Sequence, residues 1–447
     1  MPFDRTSEHL HPHPWKLVGT AGAVAVLLGA CSSDGSSSLP ADDDSDVDIE
    51  SAGRLALYDS EAAAVEVLDL DTGTALQRFA LPGEEPRLYA SPDRRYALAV
   101  QRDDGRVSFV DSGLYTEDHV EHLHDYAQDP TMLDFTLSGS LPTHYSDHEG
   151  VGAIFFDADE GVTSSVTVLS DADIGAARVL GELALDNNMH GAAKLVDDRL
   201  FVTYRDPAIT ATTLPAAIER HVLADGAFTL EQRYEEPCPL LHGHAANASF
   251  IVFGCGDGVL AVDLTREGYP ATKLANPGSM AEDGRIGTVI AHPALDELVG
   301  VAGDQIFLID PDADVDEAFR EFYPDADRPI EELPLPGDVS RITQGFNVDG
   351  ETFHVLGSDG MLHLYDVMAD WAPVASVAVT AAIGEEGTAP IVVASGAEDR
   401  LFVLDTDGQA VIEVDGIDGT LLRTIDLGYT ATRIAWLGLS DEQDSDD

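Results

Sequence analysis

The stretch IFLID, residues 306–310, is one of eight short runs of branched and aromatic residues that end in aspartate. These markers recur about every 49 residues on average, which is a repeat period typical of stacked structural units. In chain order they are VEVLD (65–69), VSFVD (107–111), VTVLSD (166–171), RHVLAD (220–225), LAVD (260–263), IFLID (306–310), LHLYD (362–366) and VIEVD (411–415).

Each marker lies among other strand-like segments that are separated by Asp, Gly and Pro turns, and amphipathic helix patterns are almost absent. Strand-rich repeats of this length, with about four strands each, predict an all-β fold, a single β-propeller around a central channel. We expect eight blades within residues 53–438, with seven as the alternative. Three tryptophans are too few for the Trp-Asp signature of a WD-repeat protein.

The two ends of the repeat region complement each other. The segment TATRIAWLG (430–438) has no strands of its own after it, whereas GRLALYD (53–59) lacks an innermost strand before it. We therefore expect the C-terminal strand to pair with the first repeat and close the ring.

The charge balance excludes one class of partner. The chain has 24 basic and 82 acidic side chains, for a formal net charge of −58. Such a surface repels nucleic-acid phosphates and favours cations in concave sites, so we expect no nucleic acid partner. Adaptation to high salt is an alternative explanation for the acidity.

The N-terminal region resembles a lipoprotein leader. The apolar run 17–30 is too short to span a bilayer comfortably, and LLGAC (27–31) resembles a lipobox. We interpret residues 1–30 as a signal peptide, Cys31 as the lipidation site, 31–52 as an acidic tether and 439–447 as an acidic disordered tail. A cytoplasmic protein with an accidental apolar stretch is the alternative. If the chain is exported, the remaining cysteines, Cys238 and Cys255, are expected to form a disulfide.

Histidines occur on four of the predicted innermost strands, which line the channel of a propeller. Neutral imidazoles that converge from neighbouring blades, with a carboxylate nearby, suit Zn²⁺ better than Ca²⁺ or Mg²⁺. Because a protonated imidazole cannot bind metal, we expect zinc affinity to fall as the pH drops through about 6.5. The channel candidates are His144, His148, His190, His242, His244 and His292.

A second group of histidines, His119, His122 and His124, lies in the acidic segment TEDHVEHLHDYAQD (116–129). We place this segment between the third and fourth strands of the second blade, as an insertion longer than an ordinary hairpin loop. Mobile ligands would suit metal transfer, so His122 and His124 join the predicted metal residues. A solvated polar loop that happens to contain histidines is the alternative.

The chain resembles the AztD family of periplasmic zinc metallochaperones from about residue 53 to 438. The segments that carry the resemblance are EDHVEHLHDY (117–126), HYSDHEGVGAIFFD (144–157), HGAAKLVDDRLFVTYRD (190–206), CPLLHGHAANASFIVFGCGDGVLAVD (238–263) and IGTVIAHP (286–293). The resemblance implies a propeller that binds zinc and delivers it to the solute-binding protein of a zinc ABC transporter. It also implies that His122 and His124 lie on a mobile segment near the metal, and that the Cys238–Cys255 pair belongs to a disulfide-bearing segment.

Two other classes of function stay open at this point. A metal-dependent propeller hydrolase or lactonase would need a carboxylate-rich channel mouth, and a metal-free cell-surface scaffold would leave the channel histidines apart. We favour a zinc-binding chaperone and not an enzyme. We expect a monomer that is membrane-anchored through Cys31, in the periplasm or at the cell surface.

Overall fold

The computed structural model describes residues 48–118, 122–313, 329–337, 339–384 and 387–439. The predicted signal peptide, Cys31, most of the tether, His119 and the tail beyond residue 439 lie outside these residues. Within the described residues no helix has the length and apolar character needed to cross a bilayer.

The described residues form eight four-stranded antiparallel units that follow one another along the chain, together with one inserted hairpin. The strands of the first four units and of the hairpin are β1 (Arg54–Asp59), β2 (Ala64–Asp69), β3 (Thr74–Ala80), β4 (Arg87–Ala90), β5 (Tyr96–Gln101), β6 (Arg106–Asp111), β7 (Leu114–Asp118), β8 (Leu123–Ala127), β9 (Thr131–Ser138), β10 (Pro142–His148), β11 (Val151–Phe156), β12 (Ser165–Leu169), β13 (Gly181–Ala184), β14 (Ala193–Val196), β15 (Arg199–Tyr204), β16 (Ala217–Ala224) and β17 (Ala227–Arg233). The one helix of this region is α1 (Asp171–Gly175), with Ser170 as its N-cap.

The strands of the remaining units are β18 (His244–Ala246), β19 (Phe250–Cys255), β20 (Gly258–Asp263), β21 (Ala271–Ala275), β22 (Thr288–Ile290), β23 (Leu298–Ala302), β24 (Gln305–Ile309), β25 (Ile330–Leu333), β26 (Arg341–Phe346), β27 (Thr352–Gly357), β28 (Met361–Asp366), β29 (Ala372–Ala378), β30 (Ile391–Ala394), β31 (Arg400–Asp405), β32 (Ala410–Asp415), β33 (Leu421–Asp426) and β34 (Ala431–Leu437). The units are β34-β1-β2-β3, β4-β5-β6-β9, β10 to β13, β14 to β17, β18 to β21, β22 to β25, β26 to β29 and β30 to β33. The third and fourth units also pair edge to edge through β13 and β17, which run parallel.

Every repeated marker of the sequence overlaps the third strand of a unit, and its aspartate lies at or just after the end of that strand. Asp69 Oδ1 accepts hydrogen bonds from the backbone N–H and the hydroxyl of Thr72, at 2.9 and 2.7 Å. Asp366 accepts the N–H of Ala369 at 3.0 Å in the same way. An aspartate that bonds to its own turn favours the reversal of the chain, which explains its recurrence at these positions.

Each hydrophobic core of the described residues lies between two consecutive units. A phenylalanine that is almost fully buried recurs once in seven of the units, at about the repeat period. The central strands are buried on both faces, as in β6, whereas outer strands such as β3 and β29 are mostly exposed. These phenylalanines are Phe109, Phe155, Phe201, Phe253, Phe307, Phe353 and Phe402.

The ring closes by pairing of β34 with β1. The register runs antiparallel from Arg54 opposite Leu437 to Asp59 opposite Ala431. Trp436 and Leu437 are 3% and 0% exposed, and they pack into the two cores that flank the first unit. The predicted all-β propeller with this closure is confirmed.

Strand direction gives the channel two distinct ends. Because neighbouring strands within a unit are antiparallel, first and third strands run one way while second and fourth strands run back. We call the end at which the first strands begin the entry end, and the end at which they finish the exit end. A strand of six residues separates the two by roughly 20 Å.

A truncation tests the ring closure. A chain that stops after Gly428 lacks β34, so it loses several buried side chains, each worth about 2–5 kcal/mol in a packed core, against a typical total stability of about 5–15 kcal/mol. We expect cooperative thermal unfolding to disappear, as measured by circular dichroism. A chain that stops after Leu439 keeps β34 and should melt like the full protein. A sharp transition of full amplitude in the shorter chain would contradict the closure.

Candidate metal centre

Three histidines from consecutive units meet at the entry end of the channel. His144 lies near the start of β10, while His190 and His242 precede β14 and β18. The Nε2 atoms of His144 and His190 are 3.2 Å apart, as are those of His190 and His242. One nitrogen from each ring lies within 4.8 Å of the other two, and no other group of this kind occurs in the described ranges. We call these three residues the triad.

In His190 and His242, the hydrogen bond at Nδ1 determines which ring nitrogen carries the hydrogen. Nδ1 of His242 donates to the backbone carbonyl of Gly287 at 2.6 Å, and Nδ1 of His190 faces the carboxylate of Asp157 at 2.7 Å. Both partners only accept, so in the neutral rings these Nδ1 atoms carry the hydrogen and the Nε2 atoms present lone pairs.

This arrangement of hydrogens favours a cation between the three rings. His144 can donate one hydrogen bond, to the lone pair of His190. The contact between His190 and His242 then brings two lone pairs within 3.2 Å of each other. A cation shared by the three nitrogens removes this repulsion. Three imidazoles with a fourth position left for another ligand form a donor set that suits Zn²⁺, at about 2.0–2.1 Å per nitrogen.

The carboxylate of Asp157 holds His190 in place. It is 4% exposed, and its Oδ2 also faces the guanidinium of Arg102 at 3.3 Å. Its backbone carbonyl is held by the Ser164 hydroxyl at 2.5 Å. A carboxylate behind a metal-binding histidine fixes the ring tautomer and raises its basicity. Sequence reasoning did not assign this role to Asp157, although Asp157 directly follows the buried strand β11.

Burial favours the neutral form of two triad histidines, His144 and His242, by lowering their pKa values. Burial, followed by the neighbouring His190, lowers the pKa of His144 to about 4. Burial also lowers the pKa of His242, against the opposing effect of the hydrogen bond to Gly287. Neutral rings at neutral pH are the form that binds metal without first releasing a proton.

His244 lies two residues beyond His242 and does not join the triad. Its ring stacks on Phe253, with centroids 5.7 Å apart. Burial, then the nearby Lys194, lowers the pKa of His244 to about 3. Lys194 is itself buried and donates to the carbonyl of Asp147 at 2.6 Å. His244 and Lys194 are thus buried channel side chains outside the group of converging nitrogens.

Two of the predicted channel histidines lie at the exit end. His148 ends β10, with its Nε2 3.7 Å from the carboxylate of Glu149. His292 follows β22, where its Nε2 donates to the carbonyl of Val348 at 2.8 Å and its Nδ1 accepts the N–H of Ala294 at 3.3 Å. Neither belongs to the triad, because each lies about one strand length away from it.

His122 and His124 lie on the hairpin formed by β7 and β8. The hairpin interrupts the second unit between its third and fourth strands, β6 and β9, where the sequence predicts an insertion. The two imidazole rings are 4.6 Å apart. Since β6 ends at the exit end, the hairpin lies at the opposite end of the channel from the triad. The proximity to the triad metal that the family resemblance implies is therefore not found.

The base of the hairpin is held by several contacts. Tyr115 and Tyr126 stack with centroids 5.0 Å apart, and the guanidinium of Arg95 lies 3.6 Å from the Tyr115 ring. Asp125 accepts from the hydroxyl of Thr116 at 2.7 Å and from the backbone N–H of Ile49 at 2.9 Å. The hairpin thus contacts the chain just where the predicted tether joins the propeller.

The cysteines Cys238 and Cys255 are joined by a disulfide bond in the fifth unit. Both are fully buried, and Cys238 lies four residues before the triad histidine His242. The bond connects the segment that carries His242 to strand β19. It therefore helps to fix the backbone beside the triad.

Comparison with known proteins agrees with this fold. No protein-family model matches the chain. The zinc chaperone AztD of Citrobacter koseri is 25% identical over 285 residues, which cover 62% of this chain and 63% of that protein. A crystal structure of Citrobacter koseri AztD superimposes with a TM-score of 0.71 at 22% identity, covering 86% of this chain and 96% of that one. The chain is thus similar to AztD in sequence, and it shares the AztD fold.

The structure of apo AztD from Citrobacter koseri gives the same TM-score of 0.71, covering 87% of this chain and 98% of that one. A more distant likeness, to the dihydro-heme d1 dehydrogenase NirN, has a TM-score of 0.55 at 12% identity and covers 87% of this chain and 76% of that one. The NirN likeness concerns the fold alone. The sequence match spans less than two thirds of the curated AztD relative.

The first prediction about the triad concerns Asp157. The substitution Asp157→Asn keeps the size of the side chain but removes the negative charge that fixes His190. We expect zinc affinity to fall about 10- to 100-fold, the usual cost of losing such a partner of a metal ligand. Competition with a zinc chelator measures the change. Asp159→Asn, two residues away on an exposed site, is the control and should leave affinity unchanged.

The second prediction concerns pH. Zinc and a proton compete for the same Nε2 lone pairs, and an exposed imidazole is protonated near pH 6.5. Because the pKa of His144 is lowered to about 4, zinc should stay bound as the pH falls through about 6.5 and be released as it approaches 4. This expected release pH is lower than the one expected from the sequence. Equilibrium dialysis at a series of pH values, with circular dichroism to monitor folding, measures the midpoint. Complete release near pH 6.5 would contradict it.

Proposed function

We propose that this protein is an extracytoplasmic zinc metallochaperone that delivers Zn²⁺ to the solute-binding protein of a zinc ABC transporter. The observation that carries the proposal is the triad, in which three imidazoles each present a ring nitrogen within 4.8 Å of the other two. Zinc is the cargo in this proposal and is not retained for catalysis. The sequence relative named as a zinc chaperone supports the same function.

The ligand set suits a carrier. The triad supplies three nitrogen ligands from three separate units, and the carboxylate nearest to it, Asp157, is occupied with His190 and Arg102. A site with three protein ligands keeps a fourth position for water or an incoming ligand. A ligand of the receiving protein can enter there before an imidazole leaves, so zinc never has to pass through a free, hydrated state.

The position of the triad favours release. Its residues lie at the entry end of the channel rather than at mid-depth, and His190 has 31% of its side chain exposed. The net charge of −58 adds a general attraction for cations. Metal can therefore enter and leave without unfolding a unit.

We further propose that His122 and His124 form a second, weaker zinc position at the exit end that contributes to transfer. The support is the short separation of their rings, whose centroids are 4.6 Å apart. A loop that must be ordered on binding loses part of its interaction energy to conformational entropy.

The anchoring at Cys31 also belongs to this proposal.

The third prediction separates the two groups of histidines. His190→Ala removes the central ligand and should lower zinc affinity by at least about 100-fold, more than the loss of a supporting partner. His292→Ala is the matched control, because that imidazole bonds only to backbone atoms, and it should leave zinc affinity unchanged. Chelator competition on the purified variants measures both.

The double variant His122→Ala, His124→Ala should keep the affinity of the triad and slow the transfer of zinc to an apo solute-binding protein. Transfer is measured by the appearance of metal on the separated partner. Equal zinc affinity in wild type and His190→Ala would refute the triad as the site. Unchanged transfer in the double variant would refute only the role of the hairpin.

A further inference from the structure

A cavity lies at the exit end of the channel, on the units that do not carry the triad. Its volume is about 430 Å³, and it is lined by the ends of the first strands of five units, β4, β22, β26, β30 and β34, and by the residues that follow them. A cavity of this size falls within the range of small-molecule sites, about 300–1,000 Å³. None of the triad residues lines it.

The wall of this cavity is largely apolar. Phe346, Trp436 and Leu88 contribute side chains that are at most 9% exposed. Gly396 lets the Trp436 indole approach its backbone, since a Cβ added there would lie 2.7 Å from the ring. The wall therefore offers an aromatic and aliphatic surface to a ligand with an apolar body.

Most polar side chains of the wall already form hydrogen bonds with other groups of the protein. Asn347 donates to Asp399 at 2.5 Å and accepts the N–H of Thr352 at 2.9 Å. His292 uses both ring nitrogens for backbone partners. These side chains shape the cavity, but their hydrogen bonds leave them little capacity to recognise a ligand.

Arg94 is the exception. Its guanidinium has no ion pair or hydrogen bond to any residue of the described part of the chain, although the net charge of the protein is −58. The backbone of Arg94 is fixed in the left-handed region, with φ 61°. Its N–H donates to Ser91 at 3.0 Å and its carbonyl accepts from Gly438 at 3.1 Å. The adjacent Asp93 lines a different cavity, so it does not neutralise this cation from within the pocket.

We propose that this cavity binds an organic monocarboxylate with an apolar body. The carboxylate would pair with the Arg94 guanidinium in two parallel hydrogen bonds, while the apolar part packs against Trp436 and Phe346. One cation in a strongly acidic protein favours a single negative charge over a di- or polyanion. The site is separate from the triad and does not depend on zinc.

The test uses three eight-carbon probes that differ in charge: octanoate, octanol and octylamine. Isothermal titration calorimetry with the wild-type protein should give saturable one-to-one binding of octanoate, with weaker binding of octanol. Octylamine should bind least. Absence of octanoate binding, or equal binding of octylamine, would overturn the proposal.

Two variants locate the site. Arg94→Gln should weaken octanoate binding at least about tenfold, since hydrogen bonds to charged groups exceed neutral ones in strength. It should leave octanol binding nearly unchanged. Arg106→Gln is the matched control: it removes an exposed arginine from the same unit and should not affect octanoate. Unchanged octanoate binding in Arg94→Gln would refute the assignment.

A third variant tests the cavity without changing charge. Ala394→Trp places a bulky side chain on a lining residue and should abolish binding of both octanoate and octanol. Zinc affinity serves as the folding control for all three variants and should match the wild type, because no substituted residue touches the triad. Retained octanoate binding in a folded Ala394→Trp protein would place the ligand elsewhere.

Discussion

The structure depends on one constraint: a four-stranded unit of this protein cannot bury both of its faces by itself. Each core within the described residues is shared by two consecutive units, as where Phe307 packs with residues of the preceding unit. Apolar surface gains stability by removal from water, so every unit needs a neighbour on each side. A ring satisfies this requirement for the first and last units as well. The closure by β34 follows from it, because an open end would leave an apolar face in solvent.

The same constraint creates the metal centre. Units that pack face to face bring their first strands side by side around the channel, so residues about 50 positions apart in the chain become neighbours. His144, His190 and His242 each stand near the beginning of a first strand, and their rings meet there. The second strand of the third unit returns to the same end, which brings Asp157 behind His190. Ligands held on rigid strands, with hydrogen-bonded partners behind them, are positioned before the metal arrives.

The two ends of the channel differ in chemistry. The entry end holds three converging imidazoles, and burial lowers the pKa of two of them, His144 and His242, which favours their neutral, cation-binding form. The exit end combines the histidine hairpin with an apolar cavity and the guanidinium of Arg94. The net charge of the protein acts on both, but local burial and pairing decide what each site attracts. Separation by about one strand length lets the sites act independently.

The sequence by itself determined the repeat, the strands and the ring closure. In the third strand of a unit, such as residues 306–310, the apolar pattern and the turn-forming aspartate are adjacent in the sequence. The first repeat lacks a first strand before Arg54, and the C-terminal end of the chain carries one additional strand that can take this place. The inserted hairpin and the positions of the histidines on first strands could also be predicted from the sequence, because they depend on spacing along the chain.

Tertiary structure alone decided which histidines meet. If the first strands run alike in every unit, the sequence already places His148 and His292 at the end of the channel opposite His144, His190 and His242. Only the structure shows that the three rings of the second group converge. The sequence likewise hid the partnership of Asp157 with His190 and the position of the hairpin at the end opposite the triad. It also did not show that Arg94 has no ion pair within the described ranges. Periodicity specifies that a residue faces the channel. Its height along the channel, and the residue that faces it from the next unit, depend on how neighbouring units pack against each other.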